Sequence, residues 1–314
     1  MNLGFALPVA GDWATRDNLV TVAQAAEAHG YHSLWVFQRL LYPLKPRNEY
    51  PPLPGQPWPR AFERVLDPIV ALTYAAAVTR RIRIGASVLI MPYYTPVMLA
   101  KALATLDVLS GGRLEVGLGI GWSEDEYEAV GVPFRHRGRR ADEFLRCLKA
   151  AWTEDPVEFA GEFYRVPRSR VEPKPVQKPH PPITIGGYGP VVVRRAVTLG
   201  DGFNGGNVPL DRVAPVVAEL KRAALAAGRD PATLHVVSRG AYRVHAQPQG
   251  PGRRPLWGSL DEIREDIGRY AAAGLTTLFL EPNFQPGGPA LDAVLEHLAA
   301  LAPGRGPATA GWTA

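Results

Sequence analysis

The chain predicts a (β/α)8 TIM barrel with insertions after strands 2 and 4. Three observations carry that expectation. Eight candidate strands alternate with eight candidate helices, and this order favours a parallel sheet of the number that closes a barrel. The first strand-to-helix turn, Pro8-Val9-Ala10-Gly11-Asp12, lacks the glycine fingerprint that an open dinucleotide-binding sheet would place there. The length of 314 residues exceeds the ~250 typical of such a barrel by about two long loops.

The strands are expected at Leu3 to Leu7, Ser33 to Val36, Ile82 to Val88, Leu114 to Leu118, Pro182 to Ile185, Gly202 to Asn204, His235 to Val244 and Thr276 to Leu280. The helices are expected at Arg16 to His29, Pro68 to Val78, Val97 to Leu109, Asp142 to Trp152, Val191 to Leu199, Leu210 to Ala227, Leu260 to Ala273 and Ala290 to Leu301. The clearest unit is the third. Its apolar run from Ile82 is rich in β-branched residues, Pro92 and Pro96 break it, and Val97 to Leu109 repeats apolar residues at helical spacing. Ser110-Gly111-Gly112 stops that helix, and Leu114 to Leu118 restarts extended chain that ends in Gly119-Ile120-Gly121. Two stretches fall outside the alternation: Leu40 to Glu63, dense in Pro, Tyr and Trp, and the Pro-rich Glu154 to Pro181. The first follows strand 2 on the face where barrel enzymes bind substrates and reads as a lid; a packing arm is the alternative. One domain over 1–302 with a flexible tail at 303–314 is the expected organisation.

Composition fits a globular protein, with 46% hydrophobic residues and no apolar run near the ~20 needed to span a bilayer. The opening MNLGFALPV reads as a short strand rather than a signal peptide, so a cytoplasmic location is expected. The net charge of +5 is spread along the chain without the clustered patch that nucleic-acid binding needs, so neither nucleic acid nor membrane is an expected partner. One cysteine, Cys147, excludes an intramolecular disulfide, and its helical run FLRCLKAAW favours a buried structural thiol. Seven histidines show no spacing that would set two metal ligands on one face, so no metal is expected. No GxSxG elbow surrounds a serine. The acids Glu124-Asp125-Glu126 open a helix, where they stabilise its dipole; paired acid and base work is the other reading.

A mouth with few acids and bases but many glycine loops suits a bound cofactor that performs the chemistry itself. Gly186-Gly187-Tyr188-Gly189-Pro190 joins strand 5 to a helix, and glycine N–H groups at a helix N-terminus form an anion cradle. A Gly-Gly turn that merely ends a strand is the plainer alternative.

GASVLIMPYYTPVMLAKALATLDVLSGGRLEVGLGIGW, EYEAVGVPFRHRGRRADEFLRCLKAAWTEDPVEFAGEFYRV, PKPVQKPHPPITIGGYGPVVVRRAVTLGDGF and WGSLDEIREDIGRYAAAGLTTLFLE together resemble the luciferase-like barrels that bind reduced FMN or coenzyme F-420, most of all the F-420-dependent oxidoreductase branch. The resemblance implies a non-proline cis peptide at Ser87-Val88 behind the cofactor ring, phosphate held by Gly186, Gly187, Tyr188 and Gly189, and a ring edge lined by Gly119 to Gly121. Many relatives carry an acid followed by His after strand 2; Gln38-Arg39 stand there, and a guanidinium can steady negative charge but is a poor proton donor. Trp122 replaces a glutamate that some relatives carry, so sugar-phosphate dehydrogenase activity is not expected. Tyr42, Tyr93 and Trp122, with Tyr50, Trp58, Phe62 and Tyr94, offer stacking surface for a bulky apolar or aromatic substrate, although each could be core. The resemblance thus implies an F-420-dependent oxidoreductase, with a reduced-FMN monooxygenase or a non-catalytic flavin-binding protein as alternatives. A homodimer, and a reductase that supplies reduced cofactor, are the expected partners.

Overall fold

A computed structural model describes residues 1–285 and 288–304. Eight strands, β1 (Asn2–Ala6), β2 (Ser33–Val36), β3 (Arg83–Ala86), β4 (Leu114–Gly119), β5 (Ile183–Gly186), β6 (Gly202–Asn204), β7 (His235–Ala241) and β8 (Thr277–Glu281), pair in parallel with their chain neighbours. β8 lies on β1, and β3 meets β4 through Ile84↔Leu114 and Gly85↔Glu115, so the sheet closes on itself. The barrel expected from the alternation is the barrel observed. Eight helices surround it: α1 (Arg16–Ala28), α2 (Pro68–Val78), α3 (Pro96–Ser110), α4 (Arg137–Thr153), α5 (Pro190–Thr198), α6 (Leu210–Ala226), α7 (Leu260–Ala272) and α8 (Leu291–Ala300).

Local chemistry sets most boundaries. Thr15, Asp67, Thr95 and Ser259 accept hydrogen bonds from the first-turn N–H groups of α1, α2, α3 and α7. Gly111, at φ 69°, ends α3 in the left-handed conformation. Three expected boundaries move by more than one residue. β3 stops at Ala86 instead of Val88; Ser87-Val88, joined by a cis peptide, lies outside the ladder, and Leu89–Ile90 then pairs with β4. β7 stops at Ala241, and Arg243–Val244 pairs with Trp257–Gly258 instead. α4 begins at Arg137, five residues before the expected Asp142, behind a separate short helix at Glu124–Ala129.

The barrel axis is filled rather than hollow. Ala6, Trp35, Val237 and Phe279 form an inner cluster, with the Trp35 and Phe279 rings stacked at 5.0 Å. Trp35 fits because Gly4 and Gly85 carry no side chain; a Cβ at either would come within 2.8 Å of the indole. Inward positions alternate along each strand, so Arg239 and Glu281, each two residues beyond a plug residue, also face the interior toward its C-terminal end.

Both insertions are present. Residues 37–67 cross the C-terminal face, tied back to the first loop by a bridge between Ala10 and Val65. The second stretch holds a hairpin, Val157–Ala160 with Arg165–Ser169, which the sequence reading left as irregular chain. Glu143 of α4 fixes its turn by accepting the N–H groups of Glu162, Phe163 and Tyr164 at 2.9, 2.8 and 2.7 Å. Cys147 is fully buried, and burial pushes its thiol up to about 11, as suits a structural cysteine. Among the described residues no group of potential metal ligands converges, and no helix is long and apolar enough to cross a membrane. The tail expected to be flexible lies outside the described residues from position 305 onward.

Candidate active site at the barrel mouth

The cis peptide implied at Ser87-Val88 is present, at the point where β3 leaves the barrel. Ser87 Oγ donates to Asn204 Oδ1 at 2.8 Å, and Asn204 Nδ2 reaches Thr184 Oγ1 at 3.4 Å, so this bulge is fastened to β5 and β6 across the interior. Val88 is half-buried at the rim. A Cβ at Gly119 would lie 2.6 Å from Val88 Cγ2, and one at Gly186 would lie 2.8 Å from Cγ1. These two glycines are therefore required by a side chain of the protein. The sequence reading assigns them to the cofactor; in the fold each makes room for Val88. Gly121 (φ 69°) is enclosed in the same way by Ile90 and Tyr93.

Gly187 and Gly189 are different. Both adopt positive φ, 124° and 87°, and a Cβ on Gly189 would meet nothing within 4 Å. Gly189 is the N-cap of α5, no side chain caps that terminus, and Pro190 follows at the first helical position. An uncapped helix start beside open space, reached through two left-handed glycines, fits a phosphate or similar anion. Tyr188, between them, is 66% exposed and free to cover a ligand.

The residues after β2 depart from the expected roles. Gln38 is buried; its Oε1 accepts the Ile90 N–H at 2.7 Å and its Nε2 donates to the Tyr94 hydroxyl at 2.5 Å, so it braces the strand ends rather than facing a substrate. Arg39 is also inside, its side chain 6% exposed, with Nη1 3.0 Å from Glu126 Oε2 and Nε donating to Gln38 O at 2.7 Å. Its guanidinium lies 4.8 Å from the Trp122 ring centroid and 5.8 Å from that of Phe62.

Glu124, Asp125 and Glu126 stand in the first turn of the short helix, where the dipole reading puts them, and they carry a second role as well. Ser123 caps the short helix, while each acid holds the insertion after β2. Glu126, fully buried, accepts the Leu40 N–H at 2.6 Å and the Tyr93 hydroxyl at 2.7 Å. Asp125 accepts the Arg47 N–H at 3.0 Å, and Glu124 exchanges two hydrogen bonds with the Asn48 amide, at 3.2 and 2.6 Å. Burial, reinforced by the Glu126 charge, pushes the Tyr93 phenol well above its ordinary range, so Tyr93 is a fixed hydrogen-bond donor to Glu126.

Above this base the insertion supplies a roof. Trp58 and Trp122 pack edge to face at 4.6 Å, Tyr50 touches Trp122 at 5.5 Å and Phe62 at 5.2 Å, and Phe284 meets Phe62 at 5.8 Å and Phe37 at 5.2 Å. Of the three residues named for substrate, Trp122 belongs to this roof, Tyr42 borders it through Trp58 at 5.9 Å, and Tyr93 lies apart, against Tyr127 and Glu126. Sequence reasoning passed over Arg239, whose guanidinium lies 4.8 Å from the Phe284 ring, and Glu281, fully enclosed just below. Period-2 alternation signals both, since each falls two residues after an inward apolar residue, Val237 or Phe279. Ending the last strand at Leu280 hid the second.

The chain matches the luciferase-like monooxygenase family model over residues 3–250. It is 35% identical over 237 residues to an uncharacterized protein of Mycobacterium tuberculosis, covering 72% of this chain and 78% of that one. It is 32% identical over 216 residues to an F-420-dependent glucose-6-phosphate dehydrogenase of Amycolatopsis mediterranei (66% and 60% of the two chains), and 42% identical over 114 residues to an FMNH2-dependent dimethylsulfone monooxygenase of Pseudomonas putida (35% and 31%). The solved monooxygenase RslO1 of Streptomyces bottropensis shares the fold, with a TM-score of 0.79, 21% identity and coverage of 96% and 98%.

Proposed function

Because the chain belongs to the luciferase-like monooxygenase family, we propose that it is an oxidoreductase that binds coenzyme F-420 and moves a hydride to or from a bulky, apolar or aromatic organic substrate. The observation that carries the reading is the junction of two features at one rim: the Ser87-Val88 bulge, with Val88 seated against Gly119 and Gly186, and the uncapped start of α5 at Gly189. The first offers a fixed backing for a flat ring system; the second offers N–H groups and a helix dipole to its phosphate. F-420 is preferred over FMN because the likeness to the F-420-dependent dehydrogenase extends over 66% of this chain, against 35% for the FMNH2-dependent enzyme.

When bound, reduced deazaflavin supplies a hydride. The protein's own part is to bind, orient and exclude. Gly187 to Gly189 hold the phosphate, Val88 supports the ring, and the roof of Tyr50, Trp58, Phe62 and Trp122 shields the mouth from water and stacks on the substrate. Arg39, kept in place by Glu126, puts positive charge beside that roof. Gln38 is committed to Ile90 and Tyr94, and no acid stands at Trp122, so a sugar phosphate is a poor fit.

Fluorescence titration of the purified protein with F-420 and with FMN separately tests the choice, F-420 being expected to bind at least about tenfold more tightly. The reverse order would favour a monooxygenase fed reduced FMN by a partner reductase, a reading that the likeness to the dimethylsulfone monooxygenase supports. Binding of neither would end both.

A further inference from the structure

The proposed hydride transfer leaves a proton unaccounted for, and the residues after β2 and β3 do not supply it: Gln38 is an amide, Arg39 is a guanidinium paired with Glu126, and Tyr93 is tied to the same carboxylate. We propose that Glu281, at the end of β8, is the proton donor of this site, with Arg239 placed to stabilise the carboxylate it leaves. The inference rests on the proposed function for its substrate and on the geometry of β7 and β8 for its residue.

Glu281 occupies the inward phase of β8, two residues beyond Phe279, and its residue surface is 2% exposed. Only one carboxyl oxygen is used. Oε1 accepts the Asn283 N–H at 2.8 Å and Asn283 Nδ2 at 2.6 Å, while Oε2 has no hydrogen-bond partner among the described residues. Asn283 is itself immobilised. Its Oδ1 accepts from the Val9 and Ala10 N–H groups and from Trp13 Nε1, and its Nδ2 also donates to Leu7 O. A carboxyl group gripped by one oxygen on such a scaffold keeps the other in a fixed position.

The polar groups within its electrostatic reach come from β7 and the residue just beyond. Arg239 lies within its electrostatic reach, with an Nε that is buried and has no partner, and Tyr242 contributes a buried hydroxyl that likewise has none. No ion pair joins Glu281 to Arg239 among the described residues, so the acid is not already neutralised. Burial raises the Glu281 carboxyl above its ordinary range, against the opposing pull of Arg239 and Asn283.

For an activated alkene, the C=C π bond would break as a hydride supplied by reduced F-420 bonds to one carbon and the proton from Glu281 Oε2 bonds to the other. Two electrons and two hydrogens enter the substrate, the coenzyme is oxidised, and Glu281 becomes a carboxylate that solvent reprotonates when the roof opens.

Infrared difference spectroscopy of the cofactor-free protein reads the protonation directly. A carboxylic-acid carbonyl band is expected at neutral pH, lost in Glu281→Gln and shifted in Glu281→Asp; absence of any band that these changes affect would overturn the proposal. Gln keeps an oxygen to accept both Asn283 hydrogen bonds, so the fold is expected to persist, and Asp provides the assignment if it does not. With reduced F-420 and cyclohex-2-enone as probes, Glu281→Gln is expected to slow reduction by about 100-fold or more with F-420 affinity within twofold. Turnover at the parent rate would overturn the proposal. Failure of the parent protein to bind F-420 or FMN would instead sink the proposed function, and the infrared result would still decide the state of Glu281.

Discussion

Arg39 and Glu126 show what a buried ion pair demands of its members. With side chains 6% and 0% exposed, neither charge has water to fall back on, and removal of one leaves the other uncompensated. Glu126→Gln is expected to lower stability by about 3 kcal/mol in urea unfolding, since the amide can still receive the Leu40 N–H but cannot balance the guanidinium. Arg39→Met in the same background should recover much of the loss; additive losses would show that the pair is not the cause. Gly119 illustrates a different limit of the sequence. A glycine at a strand end says that something comes close, and the structure names Val88 as one such neighbour. Gly119→Ala is expected to push Val88 outward and weaken F-420 binding about tenfold in a fluorescence titration, and Val88→Ala in the same chain should restore packing around the new methyl without restoring the ring's support.

Pieces of chain carry a second set of lessons. The order of strands and helices was readable because apolar periodicity and caps are local properties. The corrections concern places where distant chain decides: β3 ends early at the bulge that Asn204 fastens from 117 residues away, and the acids at 124–126 serve the insertion after β2 rather than only their own helix. That clamp has a measurable consequence. The Asn48 side chain meets Glu124 twice, while its backbone carbonyl, which alanine keeps, accepts the Trp58 indole N–H at 2.9 Å, so Asn48→Ala removes the two bonds to Glu124 and is expected to speed amide hydrogen exchange across residues 40–58 while leaving the barrel strands protected. Equal protection in both proteins would mean that the aromatic roof alone holds the lid. The start of α7 offers a pH test. Hydrogen bonds from the N–H groups of Gln249, Ser259 and Gly250, together with Arg253, hold the Glu262 carboxyl down at about 2. A depressed carboxylate stabilises the fold fully above its unfolded pKa of ~4.3 and loses that contribution as pH falls through its folded value. Stability should therefore decline between about pH 4.5 and 2 by less in Glu262→Gln than in the parent, as read by urea midpoints at each pH.

At the scale of the whole molecule, closure of eight parallel units was legible from alternation alone, whereas the chemistry of the mouth was not, because it is assembled from residues that only closure brings together, such as Arg239 of β7 beneath Phe284 after β8. The outer surface carries its own signal. α2, PIVALTYAAAV, is apolar on every side, although only one side can face the sheet; Ala71, Leu72, Ala75 and Ala76 are buried there, leaving Val70 67% and Tyr74 43% exposed. Beside it α3 exposes Met98, Val108 and Leu109. Exposed apolar side chains on two adjacent helices are costly to leave in water, and a second copy of the chain covers them by two-fold symmetry. We therefore propose a homodimer packed through α2 and α3. Sedimentation is expected to give twice the 34.1 kDa chain mass for the parent protein, and one chain mass for Val70→Glu with Met98→Glu. Both sites lie on the outer face of helices that pack against the strand side through other residues, so the double variant should keep its barrel circular dichroism; a parent protein that sediments as a single chain would leave that face to some other partner.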